Sequence, residues 1–106
     1  AAVDSNAVAE AGLDWRRRGD DLSDAWQKHA LPADVEAKVL ALMDRLHLNY
    51  GALDFILTPA GEHVFLEVNP AGEYFWLEDC PGLPISAAIA ELLLGRVPRR
   101  ENLGVV

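Results

Sequence analysis

Tyr50-Gly51-Ala52-Leu53-Asp54-Phe55-Ile56-Leu57, then Thr58-Pro59-Ala60-Gly61-Glu62, then His63-Val64-Phe65-Leu66-Glu67-Val68-Asn69 is the stretch that decides the fold. Two alternating runs rich in strand-forming residues flank a segment whose proline and glycine favour a turn. The pattern predicts an antiparallel β-hairpin. With Ala60-Gly61 at the tip, Pro59 faces Glu62 and Asp54 falls opposite Glu67. On that register Leu53, Phe55, Leu57, Val64, Leu66 and Val68 share one face, which is expected to be core. Tyr50, Ala52, Asp54, Ile56, Phe65, Glu67 and Asn69 share the other.

Two carboxylates directly across a strand pair have Cβ atoms about 4.5–5.5 Å apart and repel each other. Either one of them takes up a proton, or a cation sits between them. Asn69, two residues beyond Glu67 on the same side, adds a neutral amide oxygen. Such an all-oxygen set suits a hard ion like Mg²⁺, which keeps several waters and recruits substrate phosphates. The competing view is a solvated sheet face that carries two acids. Ile56 and Phe65 make that face partly apolar, which favours the cation.

Outward from the hairpin, Pro32 to about His47 is expected to be a helix. Pro32 suits its first position, and Asp34 and Glu36 sit in the first turn, where the helix dipole favours anions. Val35, Val39, Leu42, Met43 and Leu46 recur at helical spacing and give it one apolar face. Pro84 to Leu94 is expected to be a second helix, with Ile85, Ile89, Leu92 and Leu93 as its apolar set and Gly95 as its stop. Both helices should pack on one face of the hairpin sheet, giving an α+β layer fold. Residues 1–5 suit a short strand, and 12–24 are polar and irregular.

The 106 residues are one domain's worth of chain, and no linker rich in Gly, Ser or Pro divides them. The chain is therefore taken as a single unit over 1–106, expected to be a piece of a longer protein because it opens on Ala-Ala-Val. At 51% apolar and 25% charged residues the composition is that of a folded domain, not a disordered one. Nine basic against 17 acidic residues, net charge −8, argue against a nucleic-acid partner. No apolar run reaches the ~20 residues of a membrane span. Cys80, the single cysteine, has no internal disulfide partner, so a cytoplasmic location is expected.

The segments Asn49-Tyr50-Gly51-Ala52-Leu53-Asp54-Phe55 and Phe65-Leu66-Glu67-Val68-Asn69-Pro70-Ala71-Gly72 resemble the C-terminal part of an ATP-grasp domain. The resemblance is to the graspetide, or microviridin-type, ligases above all, which install ester or amide crosslinks in ribosomal peptides. Ribosomal-protein glutamate ligases are more distantly similar. The likeness extends to Asp14-Trp15-Arg16, to Trp26 through Pro32, to Glu73-Tyr74-Phe75-Trp76-Leu77-Glu78 and to Gly82-Leu83-Pro84, and so covers most of the chain. It implies that Asp54, Glu67 and Asn69 hold two Mg²⁺ (or Mn²⁺) ions against the phosphates of ATP, with Glu67 bridging, and that Arg16 reaches a phosphate. It implies phosphoryl transfer to a peptide or protein carboxylate, giving an acyl phosphate that an amine or hydroxyl attacks. No catalytic nucleophile is then needed, and none stands out.

The substrate domain, adenine-contacting lysines and glycine-rich loop of that family would lie upstream. Only Lys28 and Lys38 are present here, so the chain alone is expected to be inactive. The alternative is a non-catalytic module that binds a divalent cation or a peptide. Trp15, Trp26, Phe75 and Trp76 are expected to pack; Trp76, beside Glu73 and Glu78, is the best placed to touch a peptide. His29, His47 and His63 are too scattered for a metal triad, with His63 expected at an exposed hairpin end and Cys80 as a small buried hydrophobe. A sheet edge or apolar patch left uncovered would favour a homo-oligomer.

Overall fold

The computed structural model describes residues 1–4 and 26–100. Its element order is α1 (Ala33–Leu46), β1 (Ala52–Leu57), β2 (His63–Asn69), α2 (Phe75–Asp79) and α3 (Ile85–Leu93). The strands form a two-stranded antiparallel sheet, so the expected α+β class and hairpin are present. The chain falls into two compact groupings, Ala1–Ala30 with Tyr74–Ala88, and Leu31–Glu73 with Ile89–Val106.

The second grouping contains the hairpin and α1. Pro32 is not the first helical residue but the residue before it, with φ −55° and ψ 146°, and its carbonyl accepts the Glu36 N–H at 2.9 Å. Asp34 and Glu36 occupy the first turn, where they offset the exposed N–H groups that proline leaves uncapped. The helix ends in a Schellman motif. His47 takes a left-handed conformation (φ 55°, ψ 35°), Leu48 N–H bonds the Met43 carbonyl at 3.0 Å, and His47 N–H bonds that of Asp44 at 3.2 Å.

Met43 on α1 is, at 6% exposure, the one fully buried apolar side chain among the described residues. It lies over Gly51 and Val68, where a Cβ on Gly51 would come within 2.9 Å of Val68 Cγ2 and 3.2 Å of Met43 Cε. At its other end, α1 borders a groove with the hairpin tip, lined by Val35 and Lys38 on one side and Gly61 and His63 on the other. The helix thus runs along the hairpin face that carries Val68.

The hairpin loop corrects the expected register. Thr58, not Pro59, faces Glu62: Thr58 N–H bonds the Glu62 carbonyl at 2.9 Å, Gly61 N–H bonds that of Thr58 at 2.9 Å, and Thr58 Oγ1 accepts the Glu62 N–H at 3.1 Å. Gly61 at φ 84° supplies the left-handed residue that such a three-residue loop needs. From this loop the pairs run Leu57–His63, Ile56–Val64 and Phe55–Phe65. A β-bulge then leaves Leu66 as an extra residue on β2 and restores Asp54 opposite Glu67.

The faces change accordingly. Phe65 joins Phe55, with ring centroids 5.6 Å apart at 71°, and Val64 moves to the side of Ile56. The expected core face is not core: Leu57, Val64 and Leu66 are exposed at 47%, 43% and 50%. His63, expected at an exposed end, is half-buried edge-on to Phe55 at 6.4 Å.

In the first grouping, Ala2 and Gln27 form a single antiparallel bridge, where a strand over 1–5 was expected. Helix α2 was not anticipated. Cys80 is half-buried and its Sγ donates to the Trp26 carbonyl at 3.3 Å. Helix α3 spans the expected second helix and closes as α1 does: Arg96 N–H bonds the Glu91 carbonyl at 3.0 Å and Gly95, at φ 72°, that of Leu92 at 3.1 Å. Among the described residues no helix is long and apolar enough to cross a membrane.

Candidate functional site

The candidate site occupies the hairpin face away from Met43. Asp54 pairs with Glu67, and Ala52 with Asn69. Direct register partners put their side chains on the same side of a sheet, and so do residues two apart on one strand. Asp54, Glu67 and Asn69 therefore share one face. Asp54 is half-buried; Glu67 and Asn69 are exposed in this chain.

Asn69 ends its strand in a local turn. Its Oδ1 accepts the Ala71 N–H at 2.9 Å, and its carbonyl accepts the Gly72 N–H at 3.3 Å. This is the Asx geometry that asparagine favours over continued strand. An amide oxygen has two lone pairs, so the Ala71 bond does not preclude a cation on the other.

Among the described residues no group of three or more His, Cys, Asp or Glu side chains is gathered. The donor set is two carboxylates and an amide, all oxygen. It fits Mg²⁺ or Mn²⁺ that keeps waters and phosphate oxygens in its shell, and does not fit Zn²⁺, whose sites favour nitrogen and sulfur.

Asp14, Trp15 and the phosphate candidate Arg16 lie outside the described residues. Trp26 and Trp76 are half-buried, whereas Phe75 is 68% exposed. Two features escaped sequence reasoning. Tyr50 donates its hydroxyl to the Gly72 carbonyl at 2.5 Å. Arg100 ties the end of α1 to the chain entering β1: its backbone N–H bonds Asn49 Oδ1 at 2.6 Å, its guanidinium bonds the Leu48 carbonyl at 3.1 Å, and it pairs with Asp44. Neither has a local signal, because each partner lies more than 20 residues away.

The chain matches solved structures of one class. The chain is similar in fold and sequence to a C-terminal portion of ATP-grasp ligases. One match is a RiPP-associated ATP-grasp ligase of Chryseobacterium gregarium, solved with ADP and a leader and core peptide, at 42% identity and TM-score 0.89 over 97% of this chain and 31% of that one. The macrocyclase MdnB of Microcystis aeruginosa MRC matches at 55% identity and TM-score 0.63, over 65% of this chain and 28% of that one. The macrocyclase MdnC of the same organism, bound with precursor peptide MdnA, matches at 52% and 0.65, over 66% and 23%. The chain thus spans less than a third of the length of each. No protein-family profile and no curated protein matches it.

Proposed function

We propose that this chain is the metal- and phosphate-binding part of an ATP-dependent ligase that joins a peptide carboxylate to an amine or hydroxyl. The observation that carries this is the register of Asp54 against Glu67, with Asn69 on the same face. Like charges placed directly opposite repel each other; divalent cations held against a polyphosphate would offset that repulsion. The similarity to ligases solved with ADP and with precursor peptides supports the same substrates here. Cation and ATP would supply charge neutralisation and the phosphoryl group that converts the carboxylate to an acyl phosphate.

The roles proposed for the chain's own metal- and phosphate-binding residues are those the resemblance implies. Asp54, Glu67 and Asn69 would hold the cations, which would supply positive charge against the phosphates, and the neutral Asn69 would keep the ligand set's negative charge low. Arg16 contacts a phosphate, and Trp76 the peptide. The protein performs no covalent step itself; positioning and electrostatics do the work.

Glu67→Gln in the full-length ligase tests this. It removes one charge with little change in shape, so ATP-dependent ligation is expected to be lost while the thermal midpoint without metal is unchanged or raised. Full activity in Glu67→Gln would end this assignment. Metal binding with no ATP-dependent ligation in the wild type would favour the non-catalytic module instead.

A further inference from the structure

Where β2 leaves the sheet, the turn that carries Asn69 is held by a hydroxyl to which nothing above gives a role. The Ala71 N–H fixes the rotamer of the Asn69 amide, and the Gly72 N–H closes the turn on the Asn69 carbonyl. Whatever displaces this turn therefore displaces Oδ1. Tyr50, in the segment entering β1, donates its half-buried hydroxyl to the Gly72 carbonyl at 2.5 Å. Gly72 also lies so close to β1 that an added Cβ would fall 2.3 Å from Ala52 Cβ, and Ala52 is the register partner of Asn69. The turn is thus tied to the strand that carries Asp54 by one hydrogen bond and one close backbone approach.

We infer that Tyr50 is a positioning residue for Asn69, holding its amide oxygen at the spacing from Asp54 and Glu67 that a small divalent cation demands. The inference rests on the metal-binding role proposed above. Mg²⁺ accepts little deviation from octahedral geometry with bonds of about 2.0–2.1 Å, so a turn free to drift by a fraction of an ångström costs affinity. Outer-shell groups that orient a ligand are commonly worth 10- to 100-fold in metal binding. Packing alone would be satisfied by the ring of phenylalanine; the bond to the Gly72 carbonyl needs the hydroxyl.

Tyr50→Phe in the full-length ligase removes that hydroxyl and keeps the ring. With ADP present, Mn²⁺ binding followed by electron paramagnetic resonance should weaken about tenfold. The Mg²⁺ concentration for half-maximal ligation should rise in parallel, with little change in thermal midpoint. In an Asn69→Ala background the same substitution should add nothing, because the two act through one ligand. Unchanged Mn²⁺ affinity in Tyr50→Phe, when Asn69→Ala does weaken it, would overturn the positioning role and leave the metal site standing. Unchanged affinity in both variants would remove the metal role of Asn69 and the inference with it. If Tyr50→Phe fails to fold, a size exchange decides. Gly72→Ala should weaken Mn²⁺ binding and Gly72→Ala with Ala52→Gly should restore it; failure of the pair to restore binding overturns the inference.

Discussion

Asp54 and Glu67 face each other across the hairpin, and like charges placed directly opposite cost a few tenths to about 1 kcal/mol. Single residues elsewhere carry the stability that offsets this. Met43 closes over Gly51 and Val68 as the one fully buried apolar side chain among the described residues. Met43→Ala is expected to destabilise the chain by about 2–5 kcal/mol, as truncations at packed sites do; urea unfolding of the two proteins measures it. The acidic pair was legible in sequence because the shift at the loop is undone by the bulge before Asp54 is reached. The Tyr50–Gly72 and Arg100–Asn49 bonds were not, since nothing local to either residue names a partner 22 or 51 positions away.

At the scale of elements, the hairpin shows how two departures from regularity cancel. A three-residue loop shifts the pairing by one, and the bulge at Leu66 shifts it back before Asp54 is reached. The expected two-residue tip therefore gave the right partner for Asp54 while placing Val64 and Phe65 on the wrong faces. Loop type depends on the left-handed Gly61, and whether two or three residues close the turn is not fixed by the presence of a glycine. The helix ends were easier to see, because Gly95 is one of few residues that stop a helix without strain.

Helix α3 has a capping device of its own. Glu78 on α2 accepts both the backbone N–H and the hydroxyl of Ser86, in the first turn of α3, and the Ser86 hydroxyl also meets that of Tyr74 at 3.2 Å. The hydroxyl bond first, and the N–H bond second, hold the Glu78 carboxyl below its ordinary range. A carboxyl lowered in the folded state stabilises the fold above its unfolded value and loses that contribution as pH falls through the folded one. Glu78→Gln should therefore flatten the acid side of the stability profile below about pH 4.5, measured as thermal midpoint against pH. An unaltered acid limb would show that the cap contributes nothing through its charge.

For the whole molecule, the described residues leave much apolar surface uncovered. Ile56, Phe65 and Leu66 on the hairpin, Phe75 on α2, and Leu93 and Leu94 at the end of α3 are all 44–72% exposed. Among the described residues no further strand pairs with either edge of the two-stranded sheet. Open edges and apolar surface promote association, so the 106-residue chain alone is expected to self-associate with rising concentration in sedimentation velocity. A sedimentation coefficient constant over a hundredfold concentration range would refute this. Anomalous diffraction from crystals of the full-length protein with Mn²⁺ and ADP tests whether Asp54, Glu67 and Asn69 hold divalent cations against a nucleotide. Manganese peaks are expected within bonding distance, about 2.0–2.3 Å, of carboxylate oxygens of both Asp54 and Glu67 and of Asn69 Oδ1. Manganese bound to the nucleotide phosphates with none of these three residues in its coordination shell would contradict it.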